Sequence, residues 1–345
     1  MSRVRVVGAC YELKIRGEEM AKLYAIGEVL IDFVPLEKGL PLKDVTTFER
    51  TPGGAPANVA AAVAKFGGKS SMITKLGLDS FGDFLIEKLK LEGVETDKIF
   101  RTKEANTGLA FISLKDDGER EFSFYRNPSA DLLLGEEEIE PNWFTSGDIL
   151  HFCSVDLVES PMKHAHRKAI EAVIENNGII TFDLNIRLSL WDDHDEYRET
   201  ILEFIPLAHL LKISSEDLEF ISPNGSFEET IQSLFLGNVQ FIIFTKGPNG
   251  ADIHLSNGTK YESTGYSVKV HDTTGAGDAF IGGFLYKLLE MKTEPRNLKE
   301  VLQKYHKEIL QFANGSGALT TTGKGAISSL PTKEQIIELI NRISS

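Results

Sequence analysis

The sequence predicts an α/β protein, a doubly wound and mostly parallel sheet flanked by helices and carrying a small β-sheet lid. Three observations point there. Apolar runs bounded by turn residues alternate with helical stretches along most of the chain, at the spacing of strand–helix–strand crossovers. A hairpin pattern breaks that rhythm between residues 107 and 126. No repeat, low-complexity tract or long linker divides the 345 residues, so one large domain with an insertion accommodates them.

Residues 23–33 form an apolar run ending in polar residues, read as one buried strand. The turn-rich segment 35–52 follows, then an Ala-rich helix over 55–66 stopped by Gly67-Gly68. A strand at 70–76 and a helix at 81–91, ended by Gly93, complete the first crossover. Strands 108–114 and 120–125 flank the turn Asp116-Asp117-Gly118. With 35–52 they predict a small separate sheet, so lid segments are expected at about 34–52 and 107–126. One face of such a sheet must be buried against a ligand or a second subunit, which favours a homodimer through the lid and leaves a monomer with an amphipathic lid as the alternative. The rhythm resumes with strands at 148–153, 178–184, 210–213 and 239–245 and helices at 161–175, 197–205 and 227–234. Helices over 276–290, 298–319 and 333–343 close the chain.

The first convincing strand starts only at Leu23, and residues 1–20 hold Arg3, Arg5, Lys14 and Arg16 around a short apolar patch. That pattern is too interrupted for a secretory leader. Met20 is therefore expected to be the natural start, residues 1–20 a non-native or disordered extension, and 21–345 a single domain.

Composition narrows the function classes. Apolar residues at 41% and charged residues at 26% suit a globular protein rather than a disordered one. No run of eighteen apolar residues suggests a membrane span. Cys10 and Cys153 alone make no disulfide framework, which points to a reducing cytoplasm. A net charge of −14 argues against a nucleic-acid partner. It also means that any anionic ligand must be met by locally gathered cations and backbone N–H groups.

Two segments supply such groups. In Asp272-Thr273-Thr274-Gly275-Ala276-Gly277-Asp278, small residues precede an apolar helical run, with Gly282-Gly283 further on. The loop thus delivers unpaired N–H groups at a helix start, where a phosphate or a developing oxyanion binds. Asp278, in the first turn, suits a base that takes a hydroxyl proton as a phosphoryl group arrives. On spacing alone, an Asp that merely stabilises a helix start fits as well. In Pro52-Gly53-Gly54-Ala55-Pro56-Ala57-Asn58, two glycines let a ligand approach the backbone, and Asn58 can donate and accept. A tight strand-to-helix turn explains the second segment equally.

Taken as a pair, with Gly67 and Gly77 following the first, the segments resemble the signatures of the ribokinase-like, or PfkB, carbohydrate kinase family. The resemblance runs from about Leu23 to the C-terminus. Gly27-Glu28-Val29-Leu30-Ile31-Asp32, residues 124–131 (Phe-Tyr-Arg-Asn-Pro-Ser-Ala-Asp), Asp183-Leu184-Asn185-Ile186-Arg187 and Trp191 are most similar to the fructokinases.

The resemblance implies a ribokinase-like fold and an ATP-dependent kinase acting on a primary hydroxyl of a free sugar. Asp278 would be the base, and the amides of Gly275, Ala276 and Gly277 the anion hole. Asp32, Gly54 and Asn58 would hold sugar hydroxyls, with Tyr125, Arg126 and Arg187 facing the sugar and phosphate. Thr245, Lys246, Gly247 and Gly250 resemble the nucleotide loop, Asn314 and Gly317 the adenine pocket, and Lys212 is assigned to ATP with them. That loop is not a Walker A motif, whose spacing and final Lys-Ser/Thr pair it lacks.

One departure concerns Mg²⁺. Where the family has Asn-x-x-Glu, this chain has Ser214-Ser215-Glu216-Asp217, so Ser214 and Asp217 would order the ion through water. Backbone groups of Asp272 and Thr274, with residues 320–325, would hold a possible K⁺. The eight histidines show no metal-ligand spacing, and His164 and His166 read as residues of a solvated helix. Fructose is the first acceptor; 2-keto-3-deoxygluconate, ribose or a nucleoside are alternatives, and a silent sugar-binding regulator is a further class. A dinucleotide-dependent oxidoreductase fits poorly, for no Gly-x-Gly-x-x-Gly follows the first strand.

Overall fold

The computed structural model describes residues 21–37, 39–114, 120–223 and 225–344. The expected N-terminal extension and the hairpin turn at 116–118 lie outside the described residues. In chain order the strands are β1 (Leu23–Ile26), β2 (Leu30–Pro35), β3 (Phe48–Gly53), β4 (Ser70–Gly77), β5 (Ile99–Thr102), β6 (Leu109–Leu114), β7 (Arg120–Tyr125), β8 (Ile149–Cys153), β9 (Ile179–Asp183), β10 (Leu210–Ser214), β11 (Phe241–Thr245), β12 (Ala251–Leu255) and β13 (Lys260–Ser263). The helices are α1 (Ala55–Lys65), α2 (Ser80–Leu91), α3 (Pro161–Glu175), α4 (His194–Phe204), α5 (Ser215–Ile221), α6 (Phe227–Ser233), α7 (Ala276–Glu290), α8 (Leu298–Thr320) and α9 (Lys333–Ser344).

Nine strands build the main sheet in the order β13-β12-β11-β10-β9-β8-β1-β4-β5. Every pairing from β5 to β11 is parallel, and β12 and β13 add an antiparallel edge. Successive side chains of a strand point to opposite faces, so the period of two divides the core. Leu23, Ala25, Ile149, Ile179 and Leu210 pack with α1, α7 and α8 on one face. Tyr24, Ile26, Phe152, Phe182 and Ile213 pack with α3 and α4 on the other. Each of the Leu, Ile and Phe side chains among them, fully buried, contributes about 1.5–3 kcal/mol, which holds the three layers together.

The 23–33 run is not one strand. It splits at Gly27 into β1 in the main sheet and β2 in the lid. Gly27 has φ +144°, and a Cβ there would stand 2.7 Å from Pro56 Cγ. A continuous apolar run reads alike whether it fills one sheet or two, so hydrophobicity could not reveal the break. The lid is a four-stranded sheet, β3-β2-β6-β7, with β2 and β6 parallel and the outer pairs antiparallel. Phe33 stacks on Phe111 at 4.8 Å between centroids, and Phe48 meets Phe111 edge-on at 5.5 Å. Phe33 also reaches Phe81 of α2 at 6.0 Å, which seats the lid on the main domain.

Three short strands, β5, β12 and β13, and the seven-residue α5 were not predicted, since so few residues display no period. His166 corrects the reading of a solvated helix. It is fully buried against Phe152, with Nδ1 2.8 Å from the Met162 carbonyl oxygen, whereas His164 is exposed. Among the described residues no helix is long and apolar enough to cross a membrane.

Strand β1 pairs with β4 on one side and β8 on the other. The winding therefore reverses beside β1, the place where such sheets bind ligands beyond the C-terminal strand ends. Cys153, Asp183, Ser214 and Thr245 occupy those ends. We expect Gly27→Ala to destabilise the protein by about 1–3 kcal/mol, through backbone strain and the clash with Pro56. A urea denaturation midpoint equal to that of the parent would contradict this account of the hinge.

Candidate active site

The site is built around the start of α7. Gly275 caps that helix with φ +73°, and a Cβ there would come within 2.5 Å of Ala326 Cβ, so only glycine lets the two loops meet. Gly277 and Asp278 fall in the first turn, where helix geometry supplies no acceptor for their N–H groups. Ala276 is different: its N–H donates to the Thr273 carbonyl at 3.3 Å.

Asp278 Oδ2 accepts a 2.8 Å hydrogen bond from Asn58 Nδ2, in the first turn of α1. Asn58 Oδ1 is buried and has no hydrogen-bond partner among the described residues. Asp278 as a residue keeps some solvent-accessible surface, yet its carboxyl is enclosed by protein. That enclosure raises its pKa above the usual carboxylate value, against the Asn58 hydrogen bond and the charges of Lys212 and Arg187.

Lys212 projects from β10, and its Nζ donates to Asp183 Oδ1 on β9 at 3.0 Å. A Cβ built on Gly277 would lie 3.6 Å from the same Nζ, so the ammonium stands beside the anion-binding turn. Burial works against its charge, but Asp183, Asp217 and Asp278 hold it protonated and raise its pKa. Burial pushes Asp183 up to about 6 despite Lys212. Lys212 is therefore the charged partner, because three acids surround it.

The remaining residues fall into three groups. Asp32, on β2, lies so close over Gly53 that a Cβ there would meet its Oδ2 at 2.3 Å. Gly54 (φ +108°) turns the chain into α1, with its Cβ position 2.3 Å from the Glu28 carbonyl oxygen. Arg187 lies after β9 on the Asp278 side, with Nη1 donating to the Ile186 carbonyl at 2.9 Å. These sit at the cleft.

Arg126 and Tyr125 differ from expectation. Arg126 is buried, and its Nη2 donates to both Asp131 and Asp156. The sequence could not show that two aspartates, 5 and 30 positions away, would enclose it. Tyr125 is 63% exposed on the lid, edge-on to Phe111. Glu28, Asp131, Asp156 and Asp183 were not assigned from the sequence, although Glu28, Asp131 and Asp183 lie inside motifs already singled out.

On the nucleotide side, Lys246 is held by Asp252 at 2.6 Å at the end of the β11–β12 turn. Thr245 ends β11, and Gly247 and Gly250 of that turn have φ +54° and +92°. A Cβ on Gly250 would stand 2.1 Å from the Ser263 carbonyl oxygen. Asn314 is buried and donates to Ser263 Oγ at 3.1 Å, tying α8 to β13. Gly317 lets α8 approach α7, its Cβ position 3.0 Å from the Ala276 carbonyl oxygen.

Ser214 and Asp217 form a capping box at the start of α5. Asp217 Oδ2 accepts from the Ser214 N–H and hydroxyl, both at 2.7 Å, and Oδ1 from the Ile186 N–H at 3.0 Å. The Ser-x-x-Asp spacing carried this signal in the sequence. Asp272 Oδ1 accepts from the Thr274 N–H at 3.0 Å and its Oδ2 from the Gly325 N–H at 2.9 Å, joining the two loops.

A buried carboxylate beside a helix start and a protonated lysine suits proton removal from a hydroxyl while a phosphoryl group is held. Fold and site thus define a phosphotransferase. Residues 20–333 match the description pfkB family carbohydrate kinase, and the chain belongs to that family of ATP-dependent sugar kinases. It is 40% identical over 321 residues to fructokinase-2 of Solanum lycopersicum, covering 92% of this chain and 95% of that protein. A probable fructokinase-2 of Arabidopsis thaliana is 39% identical over 317 residues, 92% of this chain and 94% of its own length. The crystal structure of fructokinase with bound ATP from Xylella fastidiosa superposes with a TM-score of 0.87 at 33% identity, covering 95% of this chain and all of that one (100%). The expected ribokinase-like fold with a small second sheet is therefore borne out.

We expect Ser214→Ala to cost about 1 kcal/mol of stability through loss of the cap. An unchanged thermal midpoint would show that the capping box does not hold α5.

Proposed function

We propose that the protein is a fructokinase, transferring the γ-phosphoryl group of ATP to the 6-hydroxyl of D-fructose. Its likeness to fructokinases along nearly their whole length supports that acceptor. The observation that carries the chemistry is the hydrogen bond between Asn58 and Asp278, which holds a base at the anion-binding turn.

Asp278 takes the proton of the attacking hydroxyl. Its raised pKa brings it nearer the working pH and makes it a better acceptor than an exposed aspartate. The N–H groups at the α7 start and the Lys212 ammonium stabilise charge spreading over the transferred phosphoryl group. Asn58 Oδ1, Asp32 and the open backbone at Gly54 receive sugar hydroxyls. The lid covers them and excludes water that would otherwise take the phosphoryl group. The Thr245–Gly250 turn and the Asn314 face receive the nucleotide.

Mg²⁺ would neutralise charge between the phosphates. Ser214 and Asp217 do not fit as its direct ligands, because three hydrogen bonds already occupy the Asp217 oxygens. A crystal structure of a double-mutant fructokinase from Vibrio cholerae O395 in fructose-, ADP- and potassium-bound form has a TM-score of 0.82 at 32% identity, covering 94% of this chain and 100% of that one. That likeness supports a K⁺ role for the Asp272–Thr274 loop, whose side chain–backbone bonds bring it against Gly325. The ion would add fixed positive charge behind the anion-binding turn. Cytoplasmic residence and a lid-to-lid homodimer complete the reading, the first from the two cysteines and the second from the lid's need for cover.

Asp278→Asn should lower kcat by about 10²–10⁴-fold while KM for fructose changes only a few-fold, measured by coupled ATP consumption. Unchanged turnover would remove Asp278 as the base. The catalytic form is the carboxylate and burial raises its pKa, so kcat should fall on acidification before an ordinary aspartate protonates. An acid limb at or below the usual aspartate value would refute that environment.

A further inference from the structure

Where β2 begins and β7 ends, three carboxyl groups surround one guanidinium. Asp131 and Asp156 both accept from Arg126 Nη2, and the three side chains are 1%, 1% and 4% exposed. Glu28 completes the group: its Oε1 accepts from the Ala55 N–H at 2.8 Å. Its Oε2, like Asp156 Oδ2 and Arg126 Nε, is buried without a hydrogen-bond partner among the described residues.

The cluster adjoins the sugar side of the site. Glu28 reaches the amide that follows Gly54, and Asp156 Oδ2 lies 3.6 Å from the Cβ position of Gly27. Glu28 and Asp278 both bear on the Cys153 thiol, so that thiol, at the end of β8, lies near the cluster and near the base.

Formally the group holds three negative charges and one positive. Burial, and then Asp156, push Glu28 well above the usual carboxylate range, so a held proton relieves part of the excess. No positive charge is left over. A two-pronged contact with a substrate carboxylate, through Nη1 and Nη2 or through Nε and Nη2, would need Nη2, and Asp131 and Asp156 both already bond that atom. An anionic acceptor beside this cluster would meet like charge at low dielectric, whereas a neutral polyol would meet no such repulsion. Stability alone explains the cluster poorly, since a buried ion group with unpartnered atoms is seldom better than apolar packing.

We propose that Asp131 and Asp156 are specificity-determining residues: by occupying Arg126 they make the pocket select an uncharged sugar and reject a sugar acid. The inference rests on the sugar-kinase reading above and deepens it.

The test compares kcat/KM for D-fructose and 2-keto-3-deoxygluconate in the full-length protein and in Asp131→Asn and Asp156→Asn. The parent should prefer fructose by roughly 100-fold or more. Each Asn variant should narrow that ratio about tenfold, mainly through a lower KM for the acid. An unchanged ratio in variants that still bind ATP would overturn the proposal, as would a parent that uses both acceptors equally. If the variants fail to fold, competitive inhibition of the parent decides. D-Glucitol should then bind about tenfold more tightly than D-gluconate, and equal inhibition would overturn the proposal. A parent that ignores fructose but phosphorylates another neutral sugar would sink the fructose reading and leave this inference standing.

Discussion

The 2.8 Å hydrogen bond from Asn58 to Asp278 joins residues 220 positions apart, and the rest of the site depends on it. It can form only if the starts of α1 and α7 converge. Convergence requires the two helices to pack closely, and the sequence provides for it with small residues. A Cβ on Gly282 would come within 2.6 Å of Ala62 Cβ, and one on Gly283 within 3.1 Å of Ser316 Cβ. A side chain at Gly282 would separate α1 from α7 and pull the amide from the base, whereas one at Gly283 would push α8 off α7. Gly282 is thus as much part of the catalytic geometry as the loop before it.

The same economy governs the charges. A chain of net charge −14 must receive a polyanion, and its cations near the cleft are mostly held by carboxylates. Lys212 is held by Asp183, Lys246 by Asp252 and Arg126 by Asp131 and Asp156. Pairing keeps a buried lysine protonated and fixes where its charge points. Such a site is preorganised, with its dipoles and ammonium set before the phosphoryl group arrives.

Much of this was legible in the sequence because glycine and helix-start chemistry is local. Gly275 and Gly54 stand directly before the two helices that their motifs announced, and the long helices follow from their periods. What escaped was set by distance or by edges. Nothing within the 23–33 run shows that Gly27 sends its two halves into different sheets. Nothing around Arg126 shows that Asp156, from the end of β8, will enclose it. His166 shares its helix with exposed residues, and only the helix's seat on Phe152 turns it inward. The Ser214–Asp217 spacing is different in kind: it carried a capping signal, and the resemblance to a metal motif overshadowed it.

These long-range contacts also connect specificity with the lid. Its strand β2 starts at Leu30, two residues after Glu28, and its strand β7 ends one residue before Arg126. Both junctions meet Asp131 and Asp156, which belong to the main domain, in one buried group. A substitution there changes two things at once, the charge beneath the acceptor and the footing of the sheet that covers it. An acceptor with a different charge would therefore need more than a new side chain on the pocket wall. It would need another way to fasten β2 and β7, because here the fastening is made of the charges themselves.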